Sequence, residues 1–417
     1  MNSIRRAVSR TVLTTSLLVG AAGCSDKFLN VTNPNVIDAA TVDPVTGAAT
    51  LAASAQQNFA VAIGWAAMYS SWMTGETLVM ETFPTRNEFG IRTVADNNGN
   101  LNGDVWSPLS LGAASAKLVL DLKLPTPESN INLARAATFR GFSILYLATD
   151  FCSVTLSSGP ELTTNQALDS AIFWFTRAIA VGNANGTADG KSLATSALVG
   201  RARANLQRGN KTAAAADANA VPAGFVSNLA YVDDLSNRTR LGNRLWQFTF
   251  DRGSIGVAPA YQVSDPRVKY LQPTSALPAF DASFSNIDFP QQKYPSFAAP
   301  IRLASKLEAD YIAAEASADP VQQLALINRE RTANGRPAYS GASDPASVLT
   351  ELFNQRGLEF YLEGKRLADL RRQPAATLNV PVTGATYFKP GFPPIGNQTC
   401  YPLPKAERDN NPNTKTP

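Results

Sequence analysis

Between residues 165 and 182, Leu168, Ala171, Ile172, Phe175 and Ile179 stand at i, i+3, i+4, i+7 and i+11. That is one face of a 3.6-residue helix. A chain that repeats this period along most of its length has to bury helix against helix, because a strand alternates every two residues. The period does recur. Residues 47–72 are rich in Ala and include Phe59, Ile63 and Trp65, residues 104–122 make a shorter helix, and residues 131–151 are apolar on nearly all sides, as in a buried helix. Residues 191–208 carry small residues at Ala194, Ala197, Ala202 and Ala204; Gly209-Asn210 turns the chain into an Ala-rich helix over 211–220, which stops before Pro222. Ala202, this turn and Ala214 stand at spacings close to those of a tetratricopeptide unit. A generic helical hairpin accounts for the same residues equally well.

Residues 221–300 change character: Pro, Gly, Asn, Ser and aromatics rise and the helical period fades. Within them Trp246-Gln247-Phe248-Thr249-Phe250 alternates like a short strand. Helices return at 302–318, 321–335 and 345–372, and after Pro374 the tail is loop-like. The expected fold is mainly α: tetratricopeptide-like stacked helical hairpins with a loop-rich insertion carrying a few short strands. Its domain would span 46–417, with the helical scaffold over about 46–220 and 301–372, the insertion over 221–300 and the tail over 373–417.

The amino terminus is an address. Arg5, Arg6 and Arg10 precede a short apolar stretch, Val12 to Ala22, which is too short to span a bilayer. The run ends in Gly20-Ala21-Ala22-Gly23-Cys24 and then turns polar. A cysteine directly after Ala-Gly reads as a lipobox, although Ala21 stands where Leu is usual. Residues 1–23 would be the cleaved signal, Cys24 the lipidated residue, and 24–45, with Asn33-Pro34 and Asp43-Pro44 as turns, a tether. The acyl chains contribute roughly 0.8 kcal/mol per buried CH2, so the lipid alone would hold the chain at a membrane. The outer membrane, with the domain exposed at the cell surface, is the expected location.

Composition excludes several functions. There is no histidine, hence neither the commonest general base near neutral pH nor the commonest transition-metal ligand. Cys24, Cys152 and Cys400 lie far apart without zinc-type spacing, so neither a metal nor a cofactor is expected. Whether Cys152 and Cys400 pair is open, since sequence gives no distance. Setting aside Arg5, Arg6 and Arg10, 34 basic residues face 33 acidic ones. That near-neutral balance gives no electrostatic case for nucleic acid. No P-loop, GxSxG, HExxH or dinucleotide fingerprint is present.

The most charged motif is Arg356-Gly-Leu-Glu359-Phe-Tyr-Leu-Glu363-Gly-Lys-Arg366-Leu-Ala-Asp369-Leu-Arg-Arg372. Read as one helix, it places Glu359 and Glu363 one turn apart on the same face. A glycosidase needs its two carboxylates on opposite sides of the scissile oxygen, roughly 5–10 Å apart. An ion-paired face that ties helix ends to neighbours fits the motif better than an active site, and no catalytic residue is expected.

This same stretch carries a family resemblance. Residues 356–372 resemble the "ER..EF..EG.R..DL.R" segment of SusD/RagB proteins, with Gln355 where that family usually has Glu. Residues 301–316, IRLASKLEADYIAAEA, resemble the family's "RLAE…L..AEA" helix, and QQLALINRER at 322–331 its "ALN.VR.R" helix. Tyr401-Pro-Leu-Pro404, Glu407 and Asn411-Pro-Asn413 resemble its closing pattern, and Cys24 to Val31 its lipidated opening. The resemblance implies an outer-membrane lipoprotein that captures a nutrient, usually a glycan, and delivers it to a TonB-dependent transporter of the SusC type. The alternative is a helical-repeat lipoprotein scaffold that binds protein or peptide partners without a sugar site. An exposed pair of aromatics would favour the first, a featureless helical groove the second.

No binding residue transfers through the resemblance, because the matching segments are scaffold. Sugar rings have apolar faces, so a site wants aromatic platforms with amides or Arg for the hydroxyls. Candidates in irregular segments are Arg86, Asn97 and Trp106 from 76–106, and Trp246 and Tyr261 from the insertion. Trp65, Tyr69 and Trp72 share a helical face and read as core.

Overall fold

A computed structural model describes residues 43–414. The expected signal segment, Cys24 and the expected tether as far as residue 42 lie outside the described residues. The first described helix, α1, is long and Ala-rich (Ala48–Thr74); after β1 (Thr77–Val79) come α2 (Pro84–Gly90) and a π-helical turn, Leu101–Trp106, that runs directly into α3 (Ser107–Leu120). Next are α4 (Ile131–Asp150), β2 (Ser153–Val154), β3 (Leu162–Thr163), α5 (Thr164–Asn185), α6 (Ala188–Arg208) and α7 (Lys211–Asn219). Then come β4 (Val226–Leu229), two single turns α8 (Arg238–Leu241) and α9 (Arg244–Trp246), β5 (Ile255–Val257) and β6 (Ile301–Ser305). The last are α10 (Lys306–Ser317), α11 (Pro320–Ala333), α12 (Pro345–Glu359), α13 (Arg366–Arg372) and α14 (Lys405–Asn410).

The helices stack in chain order: α1 on α3, α3 on α4, α4 on α5, α5 on α6 and α6 on α7; α10 then packs on α7, and α11 and α12 pair beyond it. This is the mainly helical, stacked-hairpin architecture that the apolar period predicts. Local chemistry sets the helix ends. Thr163 and Gln166 form a reciprocal capping box at the start of α5, and Gly186 ends it in the left-handed region at φ +73°. Close approach in the stack depends on missing side chains. A Cβ on Gly141 of α4 would lie 2.7 Å from the Phe175 ring, and one on Gly200 of α6 only 2.5 Å from it. The ring of α5 thus fills the space both glycines leave.

Three antiparallel strand pairs stitch the irregular segments to the stack: β1 with β5 (Leu78 opposite Gly256), β2 with β3 (Ser153 opposite Thr163), and β4 with β6 (Leu229 opposite Ile301). Cys152 and Cys400 form a disulfide, with Cα atoms 5.2 Å apart. Around it the tail is hydrogen-bonded to the end of α4: Tyr401 N donates to Asp150 O and Cys152 N to Tyr401 O, both at 2.8 Å.

Three local expectations are corrected. Trp246–Phe250 is not a strand: the Asn243 side chain accepts from Trp246 N, and the chain continues through α9 into a π-helical turn, Gln247–Asp251. Trp246 and Phe250 then meet at i, i+4 with ring centres 5.6 Å apart. Residues 301–305 are strand rather than helix, because they pair with β4; Ser305 is the cap from which α10 starts, accepting from Glu308 N. The helix expected over 345–372 breaks after Glu359 and resumes at Arg366. Leu362 and Gly364 adopt φ +56° and +67° in the break, and a Cβ on Gly364 would lie 3.2 Å from the Ala67 backbone.

The break sets the ion pairs of the motif. Glu363, 1% exposed at its side chain, meets Lys293 and Arg302 at 2.8 Å and Lys365 at 3.0 Å. Arg302 also reaches Glu359 at 3.1 Å. The two glutamates therefore share one cation, and they are not consecutive-turn neighbours on a helix. Glu308 joins the network through Arg203 at 2.7 Å and Lys365 at 3.0 Å, and Asp369 pairs with Arg356 at 2.9 Å and Arg372 at 3.0 Å.

Candidate ligand-binding face

The face begins on α1. Asn58, Val61, Trp65 and Tyr69 recur every three to four residues, hence on one side of that helix. Gly64 lets the following wall approach, since a Cβ there would come within 2.9 Å of Arg244 Cβ. Arg244 accordingly lies over the Trp65 ring, 4.5 Å from its centre, and Phe248 meets the same ring edge-on at 5.1 Å. Burial lowers the pKa of the Arg244 guanidinium, but an arginine keeps its charge at neutral pH. Next along the helix, the Tyr69 hydroxyl donates to Asp104, which the π-helical turn before α3 presents. Burial and then the Asp104 charge push the Tyr69 hydroxyl well above its usual pKa, so it remains a donor.

Beside this stripe opens a cleft of about 650 Å³, lined among others by Asn58, Val61, Leu111, Asn237, Thr239 and Arg240. Arg240 reaches across to α1, donating to Asn58 Oδ1 at 3.1 Å, and Gln57 donates back to Arg240 O at 2.8 Å. Leu111 is 52% exposed.

The second part is an exposed aromatic pair. Phe83 and Phe280, 45% and 40% exposed, stack with ring centres 5.7 Å apart. The Arg252 guanidinium lies 4.6 Å from the Phe280 ring centre and 5.6 Å from that of Phe83. Both rings project from irregular segments, and the polar groups behind them are fixed. Glu81, fully buried, is ion-paired to Arg86 and to Arg252 (2.7 Å), and accepts from Ser254 Oγ at 2.7 Å. Arg86 in turn lies 5.1 Å from the Phe248 ring centre and thereby joins the aromatic pair to the Trp65 stripe. Arginines held against rings next to exposed apolar faces offer what a sugar needs: a platform for the ring and donors for its hydroxyls.

The residues singled out from sequence fall in different places. Arg86 sits in this face, buried and ion-paired beneath Phe83. Asn97 is exposed on the loop before the π-helical turn. Trp106 is 3% exposed, edge-on to Phe151, and borders a separate cavity of about 260 Å³ with Ser110 and Glu407. Trp246 is half-buried against Phe297 at 4.1 Å, and Tyr261 is buried against Tyr361 at 5.2 Å. The face unites Arg86 with residues that sequence reasoning passed over: Phe83, Phe280, Arg244 and Arg252. Trp65, which its helical face marks as core, is half-buried at the edge of the stripe. Phe83-Pro84, an aromatic at a helix start, was the only local signal; Phe280 carries none.

Comparison with known proteins gives a consistent outcome. Residues 308–416 match the model of the SusD family. None of the curated proteins matches the chain. Among solved structures, a putative sugar-binding protein from Bacteroides vulgatus superposes with a TM-score of 0.65 at 15% identity, covering 90% of this chain and 98% of its own. A SusD superfamily protein from the same organism gives 0.64 at 13% identity, with the same coverage. The surface glycan-binding protein A of Bacteroides uniformis gives 0.60 at 15%, covering 85% and 97%. At such identities the likeness is one of fold.

Proposed function

We propose that the chain, whose residues 308–416 match the SusD family model and whose fold resembles that of SusD superfamily proteins, is an outer-membrane lipoprotein of that family, anchored through Cys24, that captures an oligosaccharide and delivers it to a TonB-dependent SusC-type transporter. The observation that carries the reading is the stacked, exposed Phe83–Phe280 pair with Arg252 against it. Solvent-facing stacked rings bring little to folding, whereas a sugar face laid on them gains apolar contact. The same pair favours ligand capture over a protein-binding scaffold that lacks a sugar site. Relatives in fold named as sugar-binding and glycan-binding proteins support the same ligand class. Among the described residues no helix is long and apolar enough to cross a membrane, which suits an anchor made of lipid.

Capture proceeds without turnover in this reading. Glu359 and Glu363, the motif's two glutamates, are tied to the same arginine rather than opposed across a cleft. Calorimetric titration of the chain with a panel of neutral oligosaccharides tests the proposal. Binding of at least one of them is expected, together with an approximately tenfold or greater loss in a Phe83→Ala, Phe280→Ala double variant, the cost of about 1.4 kcal/mol of lost ring contact. No binding across the panel, undiminished binding in the variant, or hydrolysis of the sugar would sink it. Purification from detergent-solubilised outer membranes is expected to recover a barrel transporter with the chain.

A further inference from the structure

The motif at 356–366 also walls a third cavity, of about 310 Å³, apart from the aromatic face. Its charged lining consists of three cations, Arg267, Lys293 and Arg302, against two carboxylates, Glu359 and Glu363. The excess of one positive charge survives the next layer of partners. Asp265, which chelates Arg267 at 2.8 and 2.9 Å, is balanced by Lys365 behind Glu363, and Arg203 balances Glu308.

The donors are not exhausted either. Lys293 spends two of its three N–H bonds, on Tyr361 O at 2.7 Å and Glu363 at 2.8 Å. Arg267, with its side chain only 7% exposed, directs Nε and Nη2 to Asp265, and Nη2 also to the neutral amide oxygen of Gln355 at 2.8 Å. Its Nη1 is buried and finds no acceptor. A buried guanidinium nitrogen without an acceptor leaves the charge of Arg267 incompletely compensated, and the field of that charge reaches the cavity that Arg267 lines. Both carboxylates of the wall are meanwhile occupied by Arg302 and its neighbours.

We propose that this cavity is an anion subsite that receives a single carboxylate group, held between Arg267 and Lys293. One excess charge matches a monoanion, whereas a dianion beside Glu359 and Glu363 would overshoot neutrality. A carboxylate can arrive on a sugar, as a uronic acid, or on a small organic acid, and the two sources are separable by experiment.

Galacturonate, galactose, lactate and inorganic phosphate are each titrated into the chain by calorimetry at low ionic strength. Galacturonate binds and galactose does not engage this site. An affinity at least tenfold above that of lactate marks an acidic glycan as the source, and equal affinities mark a general carboxylate site; both uphold the subsite. Gln355→Glu places a carboxylate where Arg267 now meets an amide, and lowers carboxylate affinity at least tenfold with the chain still folded by circular dichroism. Lys293→Met, a second variant, does the same. Lactate has no ring to lay on the Phe83–Phe280 pair, so its binding reports on this cavity alone, and failure here is distinct from failure of the glycan-capture reading. The subsite is overturned if no carboxylate binds, if galactose competes with galacturonate, if phosphate binds more tightly than either acid, or if both Gln355→Glu and Lys293→Met bind as the parent does.

Discussion

Cys152 and Cys400 are 248 residues apart in the chain and are joined in a disulfide between the end of α4 and the tail. Closing so long a loop removes much of the freedom of the unfolded chain. The loop-entropy estimate is about 5 kcal/mol, and removing native disulfides typically costs about 2–5 kcal/mol. Loss of the bond, in a Cys152→Ala, Cys400→Ala variant or under reductant, is expected to lower the unfolding free energy read from urea denaturation by that order, and the midpoint with it. Equal midpoints with and without reductant would show that the hydrogen bonds around Tyr401 hold the tail by themselves. Such a bond persists in oxidising compartments, which agrees with the proposed location outside the cytoplasm.

How much of this was legible in the sequence follows from how local each determinant is. The stripe from Leu168 to Ile179 and the Gly209 turn were readable, because a helix face and a left-handed turn residue act within a few positions. The strand at 301–305 was not, since its partner is β4, some 75 residues earlier. The break at 360–365 is equally tertiary: Gly364 is seated against Ala67, and Leu362 N donates to the buried Glu76 at 3.0 Å. The candidate face fails to show for the same reason. Arg252 meets Glu81 across 171 residues, and no spacing announces that Phe83 and Phe280 will stack. The alternation of Trp246, Phe248 and Phe250 misled because a π-helical turn also parts Phe248 from the other two rings, sending Phe248 to Trp65 and Trp246 to Phe297.

Glu363 and Glu359 are expected to separate sharply on substitution. Replacing Glu363 by Gln leaves Lys293, Arg302 and Lys365 without their shared buried carboxylate, and breaking such a network costs about 3–5 kcal/mol. Glu359 has a single ion pair, to an Arg302 that Glu363 still neutralises. Glu359→Gln is therefore expected to cost about 1 kcal/mol or less. Guanidinium unfolding curves of the two variants make the comparison, and similar losses would disprove the assignment of Glu363 as the hub.

Stability is expected to peak on the acid side of neutrality. Burial raises the carboxyls of Glu76, Asp150 and Asp288 to about 7, against 4.5, 3.8 and 3.8 ordinarily. Between about pH 4 and 7 the folded state keeps these protons and the unfolded state has released them. Stability therefore falls as pH rises through that window and levels off above it, by up to about 1.4 kcal/mol per group and pH unit. Glu308 acts in the opposite sense. Burial would raise it, but Arg203 and Lys365 draw it down to about 2, so its contribution is present above about 4.5 and lost as pH falls towards 2. The urea midpoint should be higher at pH 5 than at pH 8, with Glu76→Gln flattening the difference. A midpoint that rises from pH 5 to 8 would contradict the protonated state of these groups.

Arg240 and Asn58 offer a test of the cleft that spares the fold. Their 3.1 Å hydrogen bond is solvent-exposed and links two walls 182 residues apart in sequence. Exposed contacts of this kind contribute at most about 1 kcal/mol, because water replaces either partner. Both side chains nevertheless line the 650 Å³ opening beside Trp65, where an amide and a guanidinium are the groups a sugar hydroxyl would meet. Arg240→Ala is thus expected to weaken oligosaccharide binding several-fold while moving the melting temperature by no more than a few degrees, and Asn58→Ala to do the same more mildly. Calorimetric titration and a thermal melt on the same preparation read both effects. A large drop in melting temperature with affinity intact would make the pair a structural clasp between α1 and the insertion, leaving Phe83 and Phe280 as the whole of the binding face.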